Sequence, residues 1–311
     1  MVPLRALLVG AAAAQVLAAG GDGVTVASFA KATYVRMPGG LLALTAPGVP
    51  PGPLHVVLDA PLAARHGVPV FRSGTRLLVG PACVELHGAR VWTGPLPGPV
   101  EVRRSAGLAI EAASGPAAGS ALLTHPYREP ALHALERLRT AGPAEAVGLL
   151  AGLGPGLTPA GDDALAGMLL ALRALGGAGS EARLRPALRA ARTTALSLAV
   201  LGSAAAGQSI APVHQLLGAA ARRDRETAGA AARALAEVGA TSGADFCFGL
   251  VAGLSAGAVE AQTVQVLSWK APARQAASAE SSTSSGLKAV TPSIRSSSRN
   301  PYRAPMAKRQ A

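Results

Sequence analysis

The 311 residues are half hydrophobic but only 3% aromatic, so the core must be built from Ala, Leu and Val, a composition that favours closely packed helices with small contact residues. The net charge of +12 is lopsided: from Ser268 onward eight basic residues stand against one acid, and scattered arginines supply most of the remaining +5. That body charge, with no basic stripe interleaved with aromatics, is weak evidence for a nucleic-acid surface and suits a small anionic substrate about equally well, so no nucleic-acid partner is expected.

The first segment, "MVPLRALLVGAAAAQVLAAG", carries one arginine, an apolar run and a small-residue end. It reads either as a leader-like stretch or as a first helix interrupted by Gln15 and stopped by Gly20 and Gly21. No other apolar run reaches the roughly 18 residues of a membrane span. Cys83 and Cys247 fit no metal spacing and supply no disulfide framework, which suits a reducing, cytoplasmic setting.

Residues 22–118 read as short strands and turns. "VTVASF", "GGLLALTAPG", "LHVVLDAP" and "TRLLVGPACVELHGARVW" alternate or carry β-branched residues between Pro and Gly. Pro47, Pro50, Pro51 and Pro53 argue against helix there. Residues 1–118 are therefore expected to form a β-rich, barrel-like domain. Helical signals then take over: "PALHALERLRTAG", "PALRAARTTALSLAVLGSAAAG", "PVHQLLGAAARRD" and "RETAGAAARALAEVG" mostly start at proline or stop at glycine. Residues 119–267 are expected to be a helical domain of about six helices. Residues 268–311, rich in Ser, Arg and Pro, bury too little to repay ordering and are expected to be disordered. The fold class is thus α+β.

The stretch "GLGPGLTPAGDDALAGMLLAL", Gly152–Leu172, joins a glycine loop to an apolar helix with Asp162 and Asp163 at the seam. A glycine loop feeding a helix start offers backbone N–H groups and the positive end of the helix dipole to an anion. Gly154, Gly156 and Gly161 allow close backbone approach, Thr158 adds a hydroxyl, and the absence of a following Lys excludes a Walker loop. Two carboxylates beside an anion need neutralising. A divalent cation such as Mg²⁺ could bridge them to phosphate, Arg192 could fold in, or they could accept hydrogen bonds from an amide NH₂. The simpler alternative is that both acids cap the helix.

A second stretch, "TSGADFCFGLVAGL", repeats the pattern 82 residues later, matching Gly161 to Gly243, Asp163 to Asp245 and Gly167 to Gly249. If the two helix starts face each other, Asp163 and Asp245 converge on one pocket, with Ser242 and Gly243 beside them. Between them, "RTTALS" is placed inside a helix, where Arg192 meets an anion and Thr193, Thr194 and Ser197 line a pocket or bond back to the preceding turn. His125, Glu129 and His133 have helical ligand spacing, but Pro126 and Pro130 break the helix that would align them. His214 is either catalytic or exposed, and no nucleophilic hydrolase arrangement stands out.

These motifs resemble the AllH-like family of bacterial proteins, whose members carry a Gly-x-Gly-x-Gly-Leu-Thr-Pro-Ser-Gly-Asp-Asp loop before a Leu/Ala/Gly helix. "ARTTALSLAVL" and "TSGADFCFGLVAGL" resemble the family's middle and later blocks, and the likeness covers roughly residues 20–258. It implies a subunit of oxamate carbamoyltransferase, which exchanges oxalurate and phosphate for oxamate and carbamoyl phosphate in purine-ring breakdown and works with partner subunits. Asp163 and Asp245 would then orient the amide or hold a cation, with Gly154, Gly156, Thr158, Gly161, Asp162, Arg192, Thr193, Ser242 and Gly243 binding substrate. The alternative is a non-catalytic or regulatory subunit with the same pocket. Ala160 stands where the family usually has Ser, so one loop hydroxyl is missing.

Overall fold

The structure, a computed structural model, describes residues 2–176, 186, 188–189 and 191–259. The tail expected to be disordered lies outside them. Strands β1 (Val2–Gly10), β2 (Gly23–Ser28), β3 (Ala32–Met37), β4 (Gly40–Thr45), β5 (His55–Leu58), β6 (Pro69–Ser73), β7 (Arg76–Val79) and β8 (Ala82–Glu85) close into an eight-stranded barrel. Its order is β5-β4-β3-β2-β6-β7-β8-β1, with β1 returning to β5 through Ala6–Leu58 and Val9–Val56. A ninth strand, β9 (Arg90–Trp92), runs beside the second half of β1 where β8 has ended.

The first segment is therefore part strand and part helix. Val2–Gly10 is a barrel stave paired on both edges, and only Ala11–Ala19 is helical, as α1, ending at Gly20 with φ 72°. Leu4, Ala6 and Val9 point into the barrel, so the apolar run serves a strand before it serves a helix. The interior is filled by Leu and Val from every side, including Val35, Leu42, Leu44, Leu58, Val70 and Leu77. An eight-stranded barrel has room for little else.

Helices begin earlier than the composition suggested. Within the span read as strands, Pro99–Ala117 forms α2, with Pro99 at its start and Glu101 in its first turn. Its small residues Ala106, Ala109, Ala113 and Ala117 are buried against the later helices, at a spacing the strand reading did not weigh. A 3₁₀ turn (Ala121–Leu123), α3 (Arg128–Ala141), α4 (Pro143–Leu150), α5 (Ala160–Gly176), α6 (Ala195–Ala205), α7 (Ala211–Ala221), α8 (Arg225–Ala236) and α9 (Ser242–Val259) follow. Among the described residues no helix is long and apolar enough to cross a membrane.

Only the second half of "RTTALS" is helical: Ala195, Leu196 and Ser197 form the first turn of α6. Ala191–Thr194 are non-helical, and Thr194 caps α6 by accepting the Ser197 N–H at 3.0 Å. Threonine is a better cap than helix interior, because its hydroxyl satisfies an orphan N–H.

The helical layer is organised around α5, which is buried from Ala160 to Ala171. Its partner is α9, and their backbones touch. A Cβ at Gly167 would lie 2.1 Å from the Phe246 carbonyl oxygen, and one at Gly249 would lie 1.7 Å from that of Ala164. The barrel meets this layer through the outer face of β4 and β5. Leu42 and Leu44 point inward, yet Ala43 and Thr45 on the other face are also buried. There α6 lies against β4, and the Ala211 N–H at the start of α7 donates to Pro51 O at 2.8 Å.

Candidate functional site

The repeated Gly-x-Asp turn has a common structural cause. A Cβ at Gly161 would stand 2.1 Å from the carbonyl oxygen of Leu150, the last residue of α4. One at Gly243 would stand 1.8 Å from that of Leu235, near the end of α8. Each long helix thus starts by abutting the end of its predecessor. The N–H of Gly161 donates to Leu153 O at 2.8 Å and that of Gly243 to Val238 O at 3.0 Å. The missing side chains at these two glycines serve helix packing, and their N–H groups already have acceptors within the chain.

Two residues after each glycine come Asp163 and Asp245, and the α5–α9 contact brings them together. Asp245 is fully buried. Its Oδ1 accepts from Ser120 Oγ at 2.6 Å and from the Ala121 N–H at 2.8 Å. Asp163 is 8% exposed and accepts hydrogen bonds from the hydroxyls of Ser242 and Thr158. One buried oxygen of each, Asp163 Oδ2 and Asp245 Oδ2, finds no partner among the described residues. Burial pushes the Asp163 carboxyl up to about 8 against the pull of Ser242, and the charges of Asp245 and Asp162 add to the rise. Burial also raises Asp245, against its bonds from Ser120 and Thr241. At neutral pH Asp163 therefore carries its proton.

Asp162 does different work. Its Oδ1 accepts the Gly152 N–H at 2.8 Å and its Oδ2 the Thr193 hydroxyl, so both oxygens brace neighbouring loops. Burial raises this carboxyl too, partly offset by those bonds. Of the loop residues, Gly154 and Gly156 hold φ of 108° and 106°, where L side chains are strained, and the tip at Pro155–Leu157 is exposed. The Leu157 carbonyl accepts from Thr194 Oγ1 at 2.7 Å, which ties the loop tip to the start of α6. Arg192 is exposed, and none of the ion pairs among the described residues includes it. It does not neutralise the aspartates here.

Three contributors escaped the sequence reading. Ser120 and the Ala121 N–H hold Asp245 from a turn that no motif marked. Tyr34 comes from the barrel: it alternates with inward-facing Val35, is half-buried, and its phenol is raised by burial and then by the charge of Asp163. Its ring also meets Phe29 edge-on at 6.1 Å.

The remaining candidates fall away from the aspartates. His214 is neither exposed nor beside them. Its Nε2 accepts the Ser209 N–H at 3.0 Å and its Nδ1 faces Pro95 O at 3.2 Å, so a neutral ring bolts α7 to the segment after β9. Burial lowers its pKa accordingly. Burial pushes the Cys247 thiol up to about 12, which makes it a core side chain rather than a nucleophile. His125, Glu129 and His133 are exposed, and no group of three metal-ligating side chains forms among the described residues.

Barrel and helical layer together define a two-part α+β protein whose buried carboxyl pair sits at two adjoining helix starts beside a glycine loop. The family model described as oxamate carbamoyltransferase subunit AllH matches residues 150–254, the span from the end of α4 through both helix starts. The resemblance read from the two Gly-x-Asp stretches holds over that span, about a third of the chain, and supports a subunit of an oxamate carbamoyltransferase. No curated protein and no solved structure matches the chain.

Proposed function

We propose that this chain is the subunit of an oxamate carbamoyltransferase-like enzyme that holds the carbamoyl-bearing substrate between Asp163 and Asp245. The observation that carries the reading is the pair of unpartnered carboxyl oxygens, Asp163 Oδ2 and Asp245 Oδ2, on two helix starts in backbone contact. Asp245 Oδ2 is an acceptor for a carbamoyl or amide NH₂, the proton-bearing Asp163 carboxyl is a donor toward the same group, and buried polar atoms without partners cost free energy until such a group arrives. The proton on Asp163 removes the repulsion that two ionised acids would exert on an anion. The two helix N-termini supply positive potential, and the Gly156–Thr158 backbone supplies donors for the developing oxyanion.

With oxalurate and phosphate, a phosphate oxygen bonds to the carbamoyl carbon and the carbon–nitrogen bond breaks. Asp163 gives its proton to the departing oxamate nitrogen and recovers one from the attacking hydrogen phosphate. A carboxyl held near 8 suits such a general acid at neutral pH. Arg192, exposed next to the Thr193 that bonds Asp162, is the cationic side chain this chain offers to the phosphate. The purine-breakdown role follows from that reaction.

The test is phosphorolysis of oxalurate by the chain alone and by its complex with co-purified partner subunits. Asp163→Asn is expected to lower kcat about 100-fold or more in the complex, with KM little changed. Undiminished turnover by Asp163→Asn would overturn the assignment. Ligand binding without turnover in the reconstituted complex would instead favour a regulatory subunit with the same pocket.

A further inference from the structure

At the far end of α5, ten residues and about 15 Å from Asp163, lies a second feature that the carbamoyl chemistry does not use. The segment Gly94–Pro99, the last turns of α5 and the turn Ala206–Gln208 after α6 line an open hollow of about 510 Å³. Among the described residues Arg173 is the only charged side chain on its walls. Its Nε is buried, and no described residue accepts a hydrogen bond from it.

The walls are built to keep that guanidinium in place. Gln208 clamps the approaching segment, accepting the Gly94 N–H at 3.4 Å and donating to Gly94 O at 3.3 Å. Pro95, Pro97 and Pro99 stiffen it. A Cβ at Gly207 would stand 3.0 Å from Leu96 Cδ1 and 3.4 Å from Arg173 Cγ, so glycine leaves the arginine stem its slot. A buried guanidinium donor without an acceptor is costly, and its planar fork matches the oxygens of a carboxylate or phosphate.

We propose that this hollow is a second anion-binding site, which takes the carboxylate or phosphate group of a small molecule on Arg173 at the joint between barrel and helices. It is independent of the aspartate pair, and a ligand there touches both the segment leaving β9 and the ends of α5 and α6.

Isothermal titration of the full-length chain with inorganic phosphate, and separately with oxamate, tests this and distinguishes the two anion types. Four proteins are compared: wild type, Arg173→Met, Asp163→Asn, and Ala206→Glu, which sets a competing carboxylate on an exposed wall position. Binding should persist in Asp163→Asn and weaken about tenfold or more in both hollow variants, the loss of one charge-assisted interaction. Ala206→Glu keeps the test valid if Arg173→Met does not fold. Binding that is unchanged in the hollow variants, or lost only in Asp163→Asn, would overturn the proposal. So would the absence of heat with either anion up to about 10 mM, which spans weak millimolar affinity.

Discussion

Replacing Asp163 by Asn should stabilise the protein while removing its chemistry, and the gain should grow with pH. The carboxyl stands near 8 in the folded chain against an ordinary value of 3.8. A raised carboxyl keeps its proton in the folded state and loses it on unfolding, so stability is lost as pH climbs between the two values. Each pH unit in that window costs about 1.4 kcal/mol, which amounts to about 4 kcal/mol by pH 7. Asp162 and Asp245 are also raised and push the same way. His55 and His214, lowered by burial, push the opposite way, but only below about pH 6.5, where the unfolded imidazole takes up its proton. Urea unfolding at pH 6.5, 7.2 and 8.0 therefore isolates the acids. Wild type should lose about 2 kcal/mol more than Asp163→Asn across that range. An Asn variant that is less stable than wild type at pH 8, or that shows the same pH slope, would refute a protonated Asp163.

The α5–α9 contact makes a separate prediction. Gly249→Ala sets a Cβ 1.7 Å from Ala164 O and must drive the helices apart. It should cost about 3 kcal/mol in urea unfolding despite the better helix propensity of Ala. Gly107→Ala, in the exposed middle of α2 with nothing within 4 Å, should instead stabilise by up to about 1 kcal/mol. Asp162→Ala orphans the Gly152 N–H and the Thr193 hydroxyl and should cost about 3 kcal/mol, whereas Asp162→Asn, which keeps an acceptor for Gly152, should cost less than half as much. Equal melting of the two Asp162 variants would show that the loops hold without this brace.

The barrel was legible because strand alternation and Pro/Gly punctuation are local signals, and "GGLLALTAPG" shows them plainly around β4. The first strand was missed because "VPLRALLVG" is apolar nearly throughout, and its strand character comes from partners more than 40 residues away. At the site, the 82-residue offset rightly paired Asp163 with Asp245, since both follow a glycine that small-residue packing demands. The same reasoning did not foresee that those glycines face the preceding helices, because a sequence does not show which way an absent side chain would have pointed. Ser120 and Tyr34 carry no spacing relation to either motif. Only the closing of α2, α9 and the barrel around the aspartates brings them there.

The glycine seam between α5 and α9 also sets a timetable for synthesis. Helix α5 is buried on every face from Ala160 to Ala171, and the backbone groove that covers it is encoded 82 residues later. At 5–20 residues per second, a ribosome leaves α5 without that cover for roughly 4–16 s. During that interval its bare glycine face is the stickiest part of the nascent chain. A chain that stops before Ser242 never acquires the cover, so truncated products should be cleared or aggregate rather than persist as a smaller folded protein.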